Sequence, residues 1–150
     1  MGTVTLTIDG QDLSVPKDYT VLQAAEAAGV DIPTLCYHPS LQVFNSCLLC
    51  VVEVEGARRP LLACGTQVRD GMVVDTKSEK VIKARRAVLE FLLINHPLDC
   101  PICDQSGECK LQDYCFEHGQ STSRYTEEKN TFQWIQRFMS REISGPMSIR

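Results

Sequence analysis

Positive charge is in deficit in this chain: 15 Lys and Arg stand against 19 Asp and Glu, a formal net charge of −4. A nucleic-acid surface needs clustered Lys and Arg to displace counterions from phosphate, so nucleic acid is not the expected partner. Long apolar runs are also missing. The greasiest stretch, Val88 to Ile94, carries Glu90 inside it and falls far short of the roughly 20 residues that cross a bilayer. No direct membrane span is therefore expected. The start, Met1 to Asp12, alternates and is acidic, unlike the basic-then-apolar pattern of a secretory leader. No G-x-G-x-x-G follows a strand and no P-loop occurs, so no nucleotide is expected to bind here directly. These absences predict a cytoplasmic protein that reaches the cytoplasmic face of the inner membrane only through a complex.

What the chain has is cysteine, in two blocks. The first reads Cys36-x10-Cys47-x2-Cys50-x13-Cys64; the second reads His96-x3-Cys100-x2-Cys103-x5-Cys109, with Cys115 trailing. Each block offers four soft or borderline ligands, the donor set of an iron–sulfur cluster. Eight cysteines could instead form a disulfide framework. The lack of a leader and the two Cys-x2-Cys pairs favour metal or redox chemistry.

The pattern between the cysteines is α+β. Thr3 to Ile8 alternates as a half-buried strand, Asp9-Gly10 turns it, and Gln11 to Val15 returns. Thr20-x-x-Gln23 opens a helix as a capping box, and Gly29 closes it. Cys50 to Glu55 and Arg59 to Ala63 read as paired strands around Gly56-Ala57, with a further strand at Met72 to Asp75. A small mixed sheet with one packed helix follows. Near Thr76 the period changes. Thr76-x-x-Glu79 is a second possible capping box, and Val81, Ala84, Val88 and Phe91/Leu92 recur at helical spacing, with Lys83, Arg85 and Arg86 on the other side. Three regions are expected: 1–78, 79–120 and a tail, 121–150. In the tail, Phe132, Ile135 and Met139 could share a helical face that covers the second site or meets a partner.

In the first block, Cys47 and Cys50 can bind side by side in a tight loop, Cys36 comes from the start of that loop, and Cys64 from the neighbouring strand. The order compares with the plant ferredoxin C-x4-C-x2-C…C, its first gap stretched to 10. Gly65 is expected to let the backbone approach inorganic sulfide, and Asn45 and Ser46 to donate hydrogen bonds to sulfur. Structural zinc usually takes two knuckles, and this block has one. In the second block, Cys100, Cys103 and Cys109 leave the fourth position to His96 or Cys115. Pro97 forces the chain out of the helix at His96, which frees the imidazole. Cys115 reads as a half-buried helical residue, and His38 and His118 as structural or surface groups.

Three stretches carry a family resemblance: Ile32 to Pro39, Ser46 to Gly56, and His96 to Asp104 continuing through Gly107 to Gln112. In these the chain resembles the N-terminal iron–sulfur region of the NADH:quinone oxidoreductase (complex I) 75 kDa/G subunit family. The same module occurs in NAD-linked and iron-only hydrogenases and in NAD-dependent formate dehydrogenases. The resemblance implies a β-grasp ferredoxin domain whose Cys36, Cys47, Cys50 and Cys64 hold a [2Fe–2S] cluster. It also implies a small helical domain whose His96, Cys100, Cys103 and Cys109 hold a [4Fe–4S] cluster. The implied role is electron transfer between a flavoprotein NADH-binding subunit and a terminal acceptor, with no complete catalytic site of its own. Two features depart from the family. Leu48 stands where the family usually has Arg, and the chain stops at Arg150, ahead of further cysteine ligands, as a fragment or a short carrier subunit would. The rival classes are a zinc-binding assembly module, which would be colourless, and a thiol redox enzyme built on a Cys-x2-Cys pair.

Overall fold

The computed structural model describes residues 2–127 and 129. The expected helical face of Phe132, Ile135 and Met139 lies outside them.

Strand β1 (Thr3–Ile8) pairs antiparallel with β2 (Gln11–Pro16), from Thr3 opposite Pro16 to Ile8 opposite Gln11. Asp9 and Gly10 both take positive φ, 49° and 82°, the geometry that lets a two-residue turn follow strand twist. Helix α1 (Val21–Ala27) follows, then the long loop with the first three cysteines. Strands β3 (Val51–Val54), β4 (Leu61–Leu62) and β5 (Met72–Asp75) complete a five-stranded sheet in the order β2-β1-β5-β3-β4. β5 lies parallel to β1 and antiparallel to β3, so the sheet is mixed. The domain is a small α+β fold of ferredoxin-like type.

Alternation decides which face is buried. Leu6, Ile8, Val15, Val52, Val54 and Val74 point inward and meet Val21, Leu22, Ala24 and Ala25 of α1. The capping box forms as the sequence predicts: Gln23 N–H donates to Thr20 Oγ1 at 3.3 Å, and Thr20 N–H to Gln23 Oε1 at 2.9 Å. The other free amides of the first turn find tertiary partners. Val21 N–H donates to Thr66 O at 2.8 Å and Leu22 N–H to Ala63 O at 3.0 Å. These two bonds bracket Cys64 and fix its position against the helix start.

Helix α2 (Glu79–Leu93) is capped by Ser78, whose Oγ accepts from Val81 N–H at 3.3 Å. The expected Thr76 cap does not form, because the Thr76 N–H and hydroxyl both bind the Asp9 carboxylate, at 2.7 and 2.6 Å. The buried face of α2 also differs from the expected one. Val81, Arg85, Leu89 and Glu90 are buried, while Phe91 is 70% exposed. A 3₁₀ turn (Cys100–Ile102) and helix α3 (Lys110–His118) follow, α3 packing on α2. No helix among the described residues is long and apolar enough to cross a membrane.

Candidate iron–sulfur centres

All eight cysteines are free thiols. The first four meet in one place from three directions. The loop after α1 delivers Cys36, a reversal delivers Cys47 and Cys50, and the turn after β4 delivers Cys64. The reversal needs left-handed backbone at Asn45 (φ 52°) and Leu48 (φ 58°). For Leu this is strained by about 1–3 kcal/mol and persists only where neighbours fix the conformation. Here Cys47 and the fully buried Leu49 and Cys50 do so.

The sulfurs gather as two pairs. Cys47 N–H donates to Cys36 Sγ at 3.4 Å, and the Cys50 and Cys64 sulfurs lie 3.3 Å apart. Cys64 Sγ also lies 3.1 Å from Asn45 Oδ1. Gly65 has a close neighbour of its own in the loop. A Cβ at Gly65 would lie 2.5 Å from Asn45 Oδ1, so the missing side chain makes room for the Asn45 amide. His38 is exposed, its Nδ1 accepting from Ser40 N–H at 3.2 Å.

Electrostatics separates the four. Burial opposes the Cys47 thiolate, yet hydrogen bonds from the backbone at Leu49 and Leu35 and from Cys36 outweigh it and hold its pKa below the ordinary thiol value. Cys64 is pushed up to about 12, first by burial, then by the hydrogen bond to Cys50 and by negative charge at Cys50, Cys36 and Cys47. Four thiolates therefore coexist here only beside compensating positive charge, which is what iron supplies. The two-plus-two grouping fits the donor set of a two-iron centre.

The second group is built from turns. Cys103 N–H donates to Cys100 O at 3.2 Å, which closes the knuckle, and bonds from Ser106 N–H to Cys103 O and from Glu108 N–H to Gln105 O, both 3.0 Å, fold the chain back. Gly107 (φ 85°) permits the return, and Cys109 is the N-cap of α3. His96, outside α2, Cys100, Cys103, Cys109 and Cys115 line one cavity of about 210 Å³ with Leu93, Leu98 and Phe116, room for a polyatomic group rather than one ion. Both candidates for the fourth ligand thus face the same space. Cys115 is half-buried in α3 as expected, and burial, followed by negative charge at Cys109, raises its pKa. His118, expected at the surface, is partly enclosed, its ring 6.1 Å from that of Tyr114.

Two residues join the two groups without any signal of it in the sequence. Tyr114 of α3 places its hydroxyl 3.4 Å from Thr34 N, two residues before Cys36. Arg85 of α2 donates from Nη2 to Val51 O at 3.1 Å, next to Cys50. Both look like ordinary helix residues in the sequence, because only packing brings them to the other block.

Residues 2–79 match the family model for a 2Fe-2S iron-sulfur cluster binding domain, and residues 85–124 match the NADH-ubiquinone oxidoreductase-G iron-sulfur binding region. A [2Fe–2S] and a [4Fe–4S] cluster are accordingly the cofactors of the two regions. The chain is 51% identical over 132 residues to the G subunit of NADH-quinone oxidoreductase from Streptomyces coelicolor, which covers 87% of this chain and 16% of that protein. It is 53% identical over 131 residues to the G subunit from Mycobacterium bovis, 86% of this chain and 16% of that one. For the G subunit from Rickettsia bellii the values are 48% over 130 residues, 87% and 19%. The chain thus spans less than a fifth of the length of these curated relatives. Among solved structures, an NAD+-reducing [NiFe]-hydrogenase in the H2-reduced state aligns with a TM-score of 0.77 at 37% identity, over 86% of this chain and 54% of that one.

Proposed function

The chain belongs to the 2Fe-2S iron-sulfur cluster binding domain family and continues into the NADH-ubiquinone oxidoreductase-G iron-sulfur binding region; on that premise we propose that it is an electron-transfer module. It passes electrons between a flavin- or NAD(H)-linked partner and a terminal acceptor, in an assembly of the NADH:quinone oxidoreductase type. Bound clusters supply one-electron carrier chemistry; the protein sets their position, charge environment and access to water. The observation that carries the reading is the crowding of four free sulfurs, Cys36, Cys47, Cys50 and Cys64, in two pairs.

The order β2-β1-β5-β3-β4, with β1 parallel to β5 and α1 across one face, supports a β-grasp domain over residues 1–78. Residues 79–120 form the second domain in this reading. There His96 joins Cys100, Cys103 and Cys109 as ligands: His96 lies past the end of α2, directly before Pro97, and lines the cavity, while Cys115 is half-buried within α3. The hydrogenase neighbour favours a second assignment, the electron-carrying small subunit of an NAD-linked hydrogenase.

Iron and acid-labile sulfide, measured on anaerobically purified protein, test the reading. Cys47→Ser is expected to remove the two-iron complement alone, and Cys103→Ser the four-iron complement alone. His96→Ala is expected to disrupt the second centre, and Cys115→Ser to leave it intact. A colourless protein holding two zinc ions per chain would replace electron transfer with a structural role.

A further inference from the structure

Arg85 sits on α2, amid the second region, yet is only 5% exposed. Its guanidinium reaches back into the first domain, where Nη2 bonds Val51 O at 3.1 Å. Its Nε is buried with no hydrogen-bond partner among the described residues. Nor does any carboxylate among them form an ion pair with it. A buried, unpaired cation is costly to keep, and the Val51 carbonyl could be satisfied by a neutral donor. The position also matters: Val51 follows Cys50, a member of the buried sulfur pair. Negative charge at Cys50, Asp9 and Asp31 acts on Arg85 against the effect of burial. Arg85 lines a hollow together with Lys77 and Arg86 and, from α3, Glu117 and His118.

We infer that Arg85 is a positioning residue that raises the reduction potential of the first centre, by holding a permanent positive charge beside Cys50. The inference rests on the ligand assignment proposed above. Reduction adds one electron from an external donor to the centre, and no bond forms or breaks. The added negative charge is stabilised by a fixed cation in a medium that water and salt screen weakly. Arginine suits this position because its charge is not lost on burial, unlike that of lysine.

The experiment is a potentiometric titration of the full chain carrying both centres, followed by EPR, on Arg85→Met, Arg85→Gln and Arg85→Lys. Arg86→Gln, which removes an exposed charge one residue away, is the control. Loss of the charge is expected to shift the first centre's reduction equilibrium about tenfold toward the oxidised form, about 59 mV lower for one electron. Arg85→Lys, whose charge burial readily removes, is expected to recover the shift in part at most, and Arg86→Gln and the second centre's potential to stay put. Should Arg85→Met fail to fold, Arg85→Gln keeps a donor for Val51 O without the charge and gives the same readout. A first centre with full iron, full sulfide and an unmoved potential in the charge-free variants would overturn the inference. So would an equal shift in the second centre. If Cys50→Ser leaves the two-iron complement whole, the ligand assignment fails instead, and the two failures are told apart.

Discussion

Asn45, Cys64 and Gly65 form the tightest local arrangement at the first centre. The Asn45 amide lies 3.1 Å from the Cys64 sulfur, in space that only a glycine at 65 leaves open. If seating Asn45 is the role of Gly65, then Gly65→Ala and Asn45→Ala remove the same interaction. Each is expected to lower stability by about 1 kcal/mol. The double variant should cost no more than the worse single one, a non-additivity that a double-mutant cycle by chemical denaturation measures. The presence of an important glycine beside Cys64 was legible in the sequence. Its reason was not, because Asn45 lies far back along the chain and meets Gly65 only after the loop has closed.

At the scale of elements, α1 does two jobs. Its apolar stripe packs into the core with the buried face of the sheet, and its first turn anchors the segment that carries Cys64. The capping box was readable from Thr20 and Gln23 alone, since it depends on residues three apart. Thr20→Ala is expected to destabilise the fold by about 1 kcal/mol in denaturant titration and to slow cluster incorporation through the loosened Ala63–Thr66 segment. Helix α2 shows the opposite case. Its existence followed from periodicity, but its orientation did not. Val81, Arg85 and Leu89 share one face, and a sequence reading puts the Arg among the solvated charges. Thr76 likewise lost the cap to Ser78, because the hairpin turn supplies Asp9 as a better partner.

Across the whole molecule, long-range bonds tie the segment after α3 back to α2. Glu90, buried near the end of α2, accepts from Arg124 N–H at 3.0 Å and from Arg124 Nε at 3.1 and 3.0 Å, with Nη2 completing the pair. The Arg124 side-chain hydrogen bond above all, then its backbone N–H, holds the Glu90 carboxyl at about 2, below its unfolded value near 4.5. A depressed carboxyl stabilises the fold fully above the unfolded value and loses that effect as pH falls toward the folded one. Amide exchange at Arg124 should therefore be protected near neutrality and deprotected as pH drops from about 4.5 to about 2. In Glu90→Gln the protection should be lower at neutral pH, and the difference from the parent protein should vanish at the acid end. Equal protection at all pH values would show that the pair does not anchor this segment.

The sequence alone determined the two cysteine blocks, the strands, the hairpin turn and the first helix. Each of these is set by spacings of a few residues, through periodicity, capping or knuckle geometry. Only the tertiary structure decided how the four sulfurs of the first block pair, that Gly65 yields its space to Asn45, and that Arg85 turns inward to Val51. It also brought Tyr114 to Thr34, across the two cysteine blocks. Such contacts join residues tens of positions apart, and close packing of the sheet against α1 and α2 selects them. No local pattern carries that information.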